Sequence, residues 1–152
     1  MEDVLLTGIA IKPKKRGPME LLDTVEVTVE GGLAGDCRGG GGRDRKRQVA
    51  ILSLDQWQDT CKELGKELPW QARRANLCVS GLSFGPQCMG RKFLIGKAVI
   101  LEITSETDPC SRMDDASEGL RNALTPFWRG GVTCRVVEGG TIRLNDKFFG
   151  VL

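Results

Sequence analysis

"RKFLIGKAVILEITSETDPC", residues 91–110, is the stretch whose reading decides the fold. Apolar and β-branched residues fill Phe93–Ile95 and Val99–Ile103, with Gly96-Lys97 between them, so it reads as two short strands about a turn rather than one helix. Pro109 ends the second strand because it has no N–H to give a ladder. Cys110 stands directly after that proline, with Arg112 and a helix start close behind.

The same grammar repeats on both sides. "VLLTGIAI" (4–11) and "RQVAILS" (47–53) read as buried strands, and "TVEVTVEG" (24–31) alternates Val25, Val27 and Val29 with Thr and Glu as a half-buried strand does. "VTCRVV" (132–137), "TIRL" (141–144) and "KFFGVL" (147–152) follow; Asn145-Asp146 tolerates a tight turn, so the last two pieces are expected to pair antiparallel. Two helices interrupt. Ser53 and Gln56 resemble a capping box ahead of Trp57, Cys61 and Leu64 at helical spacing. A second helix is expected over roughly 115–125, limited by Pro126. Many short strands with two helices predict a mostly β fold, curled barrel-like, in one domain over 1–152.

Composition limits the function. The chain has 22 basic and 20 acidic residues, a net charge of +2, which argues against a general coat for nucleic acid or membranes. The opening "MEDVLLTGIA" lacks a basic leader and no apolar run approaches a membrane span, so a cytoplasmic location is expected. The chain contains no histidine, which excludes Ser-His-Asp triads and His-based zinc centres. Six cysteines, at 37, 61, 78, 88, 110 and 134, form no Cys-x-x-Cys pair. Cys61, Cys78 and Cys134 sit among apolar neighbours and read as core. Cys37 and Cys88 fall in loops. Cys110 has positive charge and a helix start nearby, both of which favour thiolate, while Asp108, Asp114 and Asp115 oppose it.

Residues 30–48, "EGGLAGDCRGGGGRDRKRQ", hold seven glycines and five basic side chains and read as a long surface loop. Such a loop is either a solvated tether, an anion-binding loop using Arg forks and backbone N–H groups, or a short Arg/Gly segment at 38–47 for nucleic acid. The absence of tyrosine and the scarcity of aromatics weigh against the last. In "RRANLCVSG" (73–81), Arg74 and Asn76 are expected to point the same way from a strand. Arg129, in "FWRGGV", precedes two glycines.

Taken in order, "GLAGDCR" (32–38), "RQVAIL" (47–52), "RRANLCVSG", "IGKAVILEITSETDPC" (95–110) and "RGGVTCRVVEGGTI" (129–142) resemble the MOSC domain family, the C-terminal domain of molybdenum-cofactor sulfurase, from about Leu5 to Phe149. The resemblance implies a β-rich, barrel-like fold with a few short helices. It implies that Cys110 is the family's cysteine after proline, either a molybdenum ligand or a persulfide carrier. It further implies molybdenum cofactor (molybdopterin) as ligand, with Arg38, Arg47, Arg74, Asn76 and Arg129 clamping the phosphate and pterin and Asp36 orienting them. The implied partner is a pyridoxal-phosphate-dependent cysteine desulfurase or an electron donor; an alternative activity is reduction of N-hydroxylated compounds with external electrons.

Overall fold

The protein is described here by a computed structural model covering residues 3–41, 44–107, 109 and 112–151. Among these residues the chain forms eleven strands: β1 (Leu5–Ile11), β2 (Glu20–Leu22), β3 (Thr24–Thr28), β4 (Gly32–Leu33), β5 (Val49–Ser53), β6 (Leu77–Ser80), β7 (Lys92–Ile95), β8 (Val99–Glu106), β9 (Val132–Glu138), β10 (Gly140–Arg143) and β11 (Phe148–Val151). Three short α-helices accompany them: α1 (Leu54–Leu64), α2 (Arg112–Ala116) and α3 (Leu120–Leu124). None is long and apolar enough to cross a membrane.

Eight strands make one sheet in the order β11-β7-β8-β9-β5-β6-β1-β2, and β10-β3-β4 make a second. The large sheet curls until Leu5 bridges Lys147, where the Leu6 amide reaches the Asp146 carbonyl at 2.9 Å. The sheets are not closed into a barrel: β11 and β2 remain edges. Side chains from both sheets, among them Val25, Val27, Leu33 and Ile142 from the small one and Ile51, Leu101 and Val136 from the large one, share the main core. At about 25 cal/mol per Å² of apolar surface removed from water, this shared interior is the principal term holding the two sheets together.

Local sequence explains most elements. In β3, Val25 and Val27 are buried while Thr24, Glu26 and Thr28 face solvent, the expected alternation. β5 is apolar from Val49 to Leu52 because both its faces are covered: Ile51 joins the main core, whereas Leu52 joins a second cluster with Trp57, Leu120 and Leu124 under the helices. The Ser53 hydroxyl accepts from the Gln56 amide and caps α1. The reciprocal half of the capping box is not made. Gln56 instead sends its side chain outward, donating to the Phe84 and Phe127 carbonyls at 3.1 and 2.7 Å and accepting from the Phe84 amide.

Two expectations need correction. The 115–125 helix is two helices, broken where Gly119 adopts φ +85° between α2 and α3. The Asn145 turn forms, with φ +73°, yet its flanking strands do not pair: β10 joins β3 and β11 joins β7. The turn thus links the small sheet to the large one. The named strands pair antiparallel except β5 and β6, which run parallel with α1 as the crossover between them.

The 30–48 loop is not a free tether. Gln48, 1% exposed, donates to the Val29 carbonyl at 2.7 Å and to the Gly39 carbonyl at 3.3 Å, and accepts from the Val136 amide at 2.8 Å. Gly39 lies so close to the preceding turn that a Cβ there would sit 1.6 Å from the Gly31 carbonyl oxygen. One buried amide and one absent side chain thus fold the loop back onto the sheet.

Candidate functional site

A cleft of about 660 Å³ opens where β1 ends, β5 and β6 begin and β8 ends. Its wall carries Lys12, Asp36, Cys37, Arg38, Arg47, Arg73, Arg74, Asn76, Thr107, Arg112 and Met113, six cations against one carboxylate. Like charges gathered at one concave surface raise its potential and favour anions.

The carboxylate is already occupied. Asp36 Oδ1 accepts from the Lys12 amide at 2.8 Å and Oδ2 from the Arg38 amide at 3.3 Å, while the Cys37 amide donates to the Lys12 carbonyl at 2.8 Å. Asp36 therefore staples the glycine-rich loop to the end of β1 and positions Cys37 and Arg38. Asn76 has a similar duty: its Oδ1 accepts from the Ala50 amide at 3.0 Å and its Nδ2 donates to the Ala10 carbonyl at 3.2 Å, joining β5 to β1. It lies on the cleft wall just before β6, with most of its amide's capacity spent on backbone.

Arg73 and Arg74 divide their work. Arg74 is not on a strand; it ends a single 3₁₀ turn over Trp70–Arg73 in a left-handed conformation, φ +66°, and its guanidinium donates to the Gly17 carbonyl. Arg73, 8% exposed, donates to the Gly130 carbonyl at 3.1 Å and to the Thr107 carbonyl at 3.2 Å, with Met113 sulfur 3.8 Å from Nη1. It ties together both sides of the segment that carries Cys110. Cys110 itself lies outside the described residues, whereas Thr107, Arg112 and Met113, which flank it, line the cleft.

Arg129 is not part of the cleft wall. Its Nη1 pairs with Glu63 Oε2 at 2.8 Å and donates to the Ala123 carbonyl at 3.2 Å, and its guanidinium stands 5.3 Å over the Phe127 ring. The arginine clasps α1 to the end of α3, and its hydrogen bond holds the Glu63 carboxyl below its ordinary value. The expected role of Arg129 at the ligand is not supported by this placement.

Sequence reading missed Lys12. Its side chain is 5% exposed, lines the cleft, and its ammonium has no acceptor among the described residues. Burial first, then the Arg38 and Arg74 charges, lower its pKa from the ordinary 10.5, against the pull of Cys37 and Asp36. The available signal was a lysine ending the apolar run "GIAI" before Pro13, hidden by the basic cluster that follows. Thr107 was missed too: its Oγ1 is buried without a partner among the described residues. Cys61, Cys78 and Cys134 are buried as expected, and Cys88, read only as a loop residue, is buried too; burial pushes the Cys78 thiol to about 11 and the Cys134 thiol still higher. Cys37 is exposed. No cluster of three His, Cys, Asp or Glu side chains suited to a metal occurs among the described residues.

The model of the MOSC domain matches residues 29–148. The chain belongs to the MOSC domain family. Among solved structures, the YuaD protein from Bacillus subtilis superposes with a TM-score of 0.80 at 19% identity, covering 97% of this chain and 94% of YuaD. YiiM from Geobacillus stearothermophilus gives 0.75 at 17% identity over 98% of this chain and 75% of its own. YiiM from Escherichia coli gives 0.73 at 17% identity over 97% and 70%. At these identities the likeness is one of fold. No curated protein matches the sequence. The MOSC match embraces Asp36, Arg38, Arg47, Arg74, Asn76, Cys110 and Arg129, and leaves Lys12 before its first residue.

Proposed function

We propose that this MOSC domain binds molybdenum cofactor in the cationic cleft, with the Cys110 thiolate as the protein's ligand to the metal. The observation that carries the reading is the Lys12 side chain, 5% exposed and with no acceptor for its ammonium among the described residues, on the same 660 Å³ space as Arg38, Arg47, Arg74 and Arg112. A partly desolvated ammonium crowded by the Arg38 and Arg74 charges is completed by an anion in the cleft. The cleft is within the usual size for a cofactor site of about 300–1,000 Å³.

The residues fit such a group. Lys12 and the exposed Arg38 and Arg47 suit a phosphate, since planar guanidinium forks match its oxygens. The orphaned Thr107 hydroxyl supplies a hydrogen bond at the far wall. Covalent spacing keeps the Cα of Cys110 within about 7.6 Å of that of Arg112, which lines the cleft. Thiolate is the soft donor that a chain without imidazole can offer. When bound, the cofactor supplies redox and sulfur chemistry; the chain's own part is to neutralise the phosphate, orient the pterin edge and hold the sulfur of Cys110 ionised beside cations. Reduction of N-hydroxylated compounds would require an external electron donor.

Sulfur carriage by Cys110 is the competing use of the same thiol. A cysteine desulfurase would pass sulfane sulfur to the thiolate, a reversible cap. The two separate in one experiment. Full-length protein produced in a molybdenum-replete host is assayed for metal by mass spectrometry and for pterin by fluorescence after oxidation. About one molybdenum and one pterin per chain is expected from one such cationic cleft. Protein free of both, yet carrying sulfane sulfur on Cys110, overturns the cofactor reading in favour of the carrier.

A further inference from the structure

Cys37 is the exposed thiol among the described cysteines, and it lies on the wall of the cationic cleft. Its amide donates to the Lys12 carbonyl at 2.8 Å, and Arg38 is the next residue, so the Asp36 staple fixes the Cys37 backbone beside two cationic residues on that wall. Independently of the sulfur, the Lys12 side chain is more than nine-tenths buried, lines the same space and has no acceptor for its ammonium among the described residues. One observation supplies a nucleophile and the other a place for negative charge beside it.

We propose that Cys37 is a thiolation site for anionic disulfides, which the cations of the cleft draw to it. The chemistry is thiol–disulfide exchange. Cys37 gives its proton to solvent, its thiolate attacks one sulfur of the incoming disulfide, and a new S–S bond forms as the old one breaks. The protein thiol is oxidised, and one half of the disulfide is reduced and leaves as a thiolate. The retained half brings carboxylates to Lys12 and Arg38 and obstructs the cleft. Reducing thiols restore it, so the adduct is a reversible block on anion binding. This goes beyond the cofactor reading and does not require it, since it needs only the cationic wall and Cys37.

The test uses full-length Cys110→Ser protein, with oxidised glutathione as the anionic disulfide and cystamine as the cationic one. Each rate is divided by the rate for the same chain unfolded in urea, which removes intrinsic differences in reactivity, and peptide mass spectrometry locates the adduct. Cys37 is expected to take glutathione at least about tenfold faster than cystamine at low salt, the size of an electrostatic steering effect. The ratio is expected to fall toward one near 1 M salt, where the screening length is about 3 Å. Arg38 is exposed, so Arg38→Gln leaves the fold intact and should lower the ratio several-fold. A ratio near one at low salt, a ratio indifferent to salt, or labelling of Cys88 ahead of Cys37 overturns the proposal. Such a failure leaves the molybdenum and pterin content unaffected, while a chain devoid of cofactor can still show charge-selective exchange, so the two readings fail separately.

Discussion

Arg129 and Glu63, 66 residues apart in sequence, are joined by a 2.8 Å ion pair that binds α3 to α1 away from the cleft. Arg129→Met is therefore expected to cost about 1–3 kcal/mol of stability, the penalty of leaving the Ala123 carbonyl and its surroundings unpaired, with no change in anion affinity. Urea unfolding and anion titration on the same preparation check both halves. Weakened anion binding with unchanged stability would return Arg129 to the site.

The same pair gives a pH signature. Glu63 is held below its ordinary 4.5, so between that value and its folded one the unfolded chain binds more protons. Stability from the pair is present above pH 4.5 and is lost as pH falls through the folded value. Urea midpoints measured from about pH 6 downward should fall more steeply for the native protein than for Glu63→Gln. Parallel curves would show that the pair contributes nothing measurable, as many exposed pairs do.

Lys12 behaves in the opposite sense from a structural residue. Its ammonium is desolvated and crowded by Arg38 and Arg74, so Lys12→Met should raise stability at neutral pH while weakening anion binding about 10- to 100-fold, the worth of a charge-assisted hydrogen bond of about 1.5–3 kcal/mol. Because its pKa is lowered from 10.5, the folded state sheds this proton first as pH rises. The stabilisation that sulfate confers should then decline at a pH below 10.5 in the native protein and stay flat in Lys12→Met. Thermal melts with and without sulfate across that range make the comparison. Equal sulfate responses in both proteins would remove Lys12 from the site.

Asn76 and Gly39 are expected to act through the fold. Asn76→Ala strands the Ala50 amide and the Ala10 carbonyl, at about 1–3 kcal/mol for each group left buried and unpaired. Gly39→Ala drives a methyl group into the Gly31 carbonyl and should detach the loop that presents Cys37 and Arg38, exposing it to protease. Limited proteolysis distinguishes a detached loop from a globally weakened domain. An intact loop in Gly39→Ala would contradict the close approach.

How much of this was legible in the sequence follows from the range of the interactions. The β3 alternation, the α1 cap and the buried thiols at 61, 78 and 134 depend on neighbours in sequence and were readable. The Asn145 turn was readable as a turn, but where β10 and β11 went depended on two sheets that exist only after folding. Asp36, Arg38, Arg47, Arg74 and Asn76 do meet at one cleft. Their duties were not legible: apart from the local Arg38 amide, Asp36 and Asn76 spend their polar atoms on backbone groups 24 to 66 residues away. Arg129 looked like its neighbours in the motif until Glu63 claimed it, and Lys12 was concealed among Lys14, Lys15 and Arg16.

The central claim is that Cys110 offers a reachable thiolate at a cationic cleft, and competitive alkylation of the native full-length protein tests it most directly. With a neutral alkylating reagent near neutral pH and labels read by mass spectrometry, Cys110 is predicted to react first and Cys37 next, with Cys78 and Cys134 protected until the chain unfolds. Cys110 remaining unlabelled for as long as Cys134 would contradict the account.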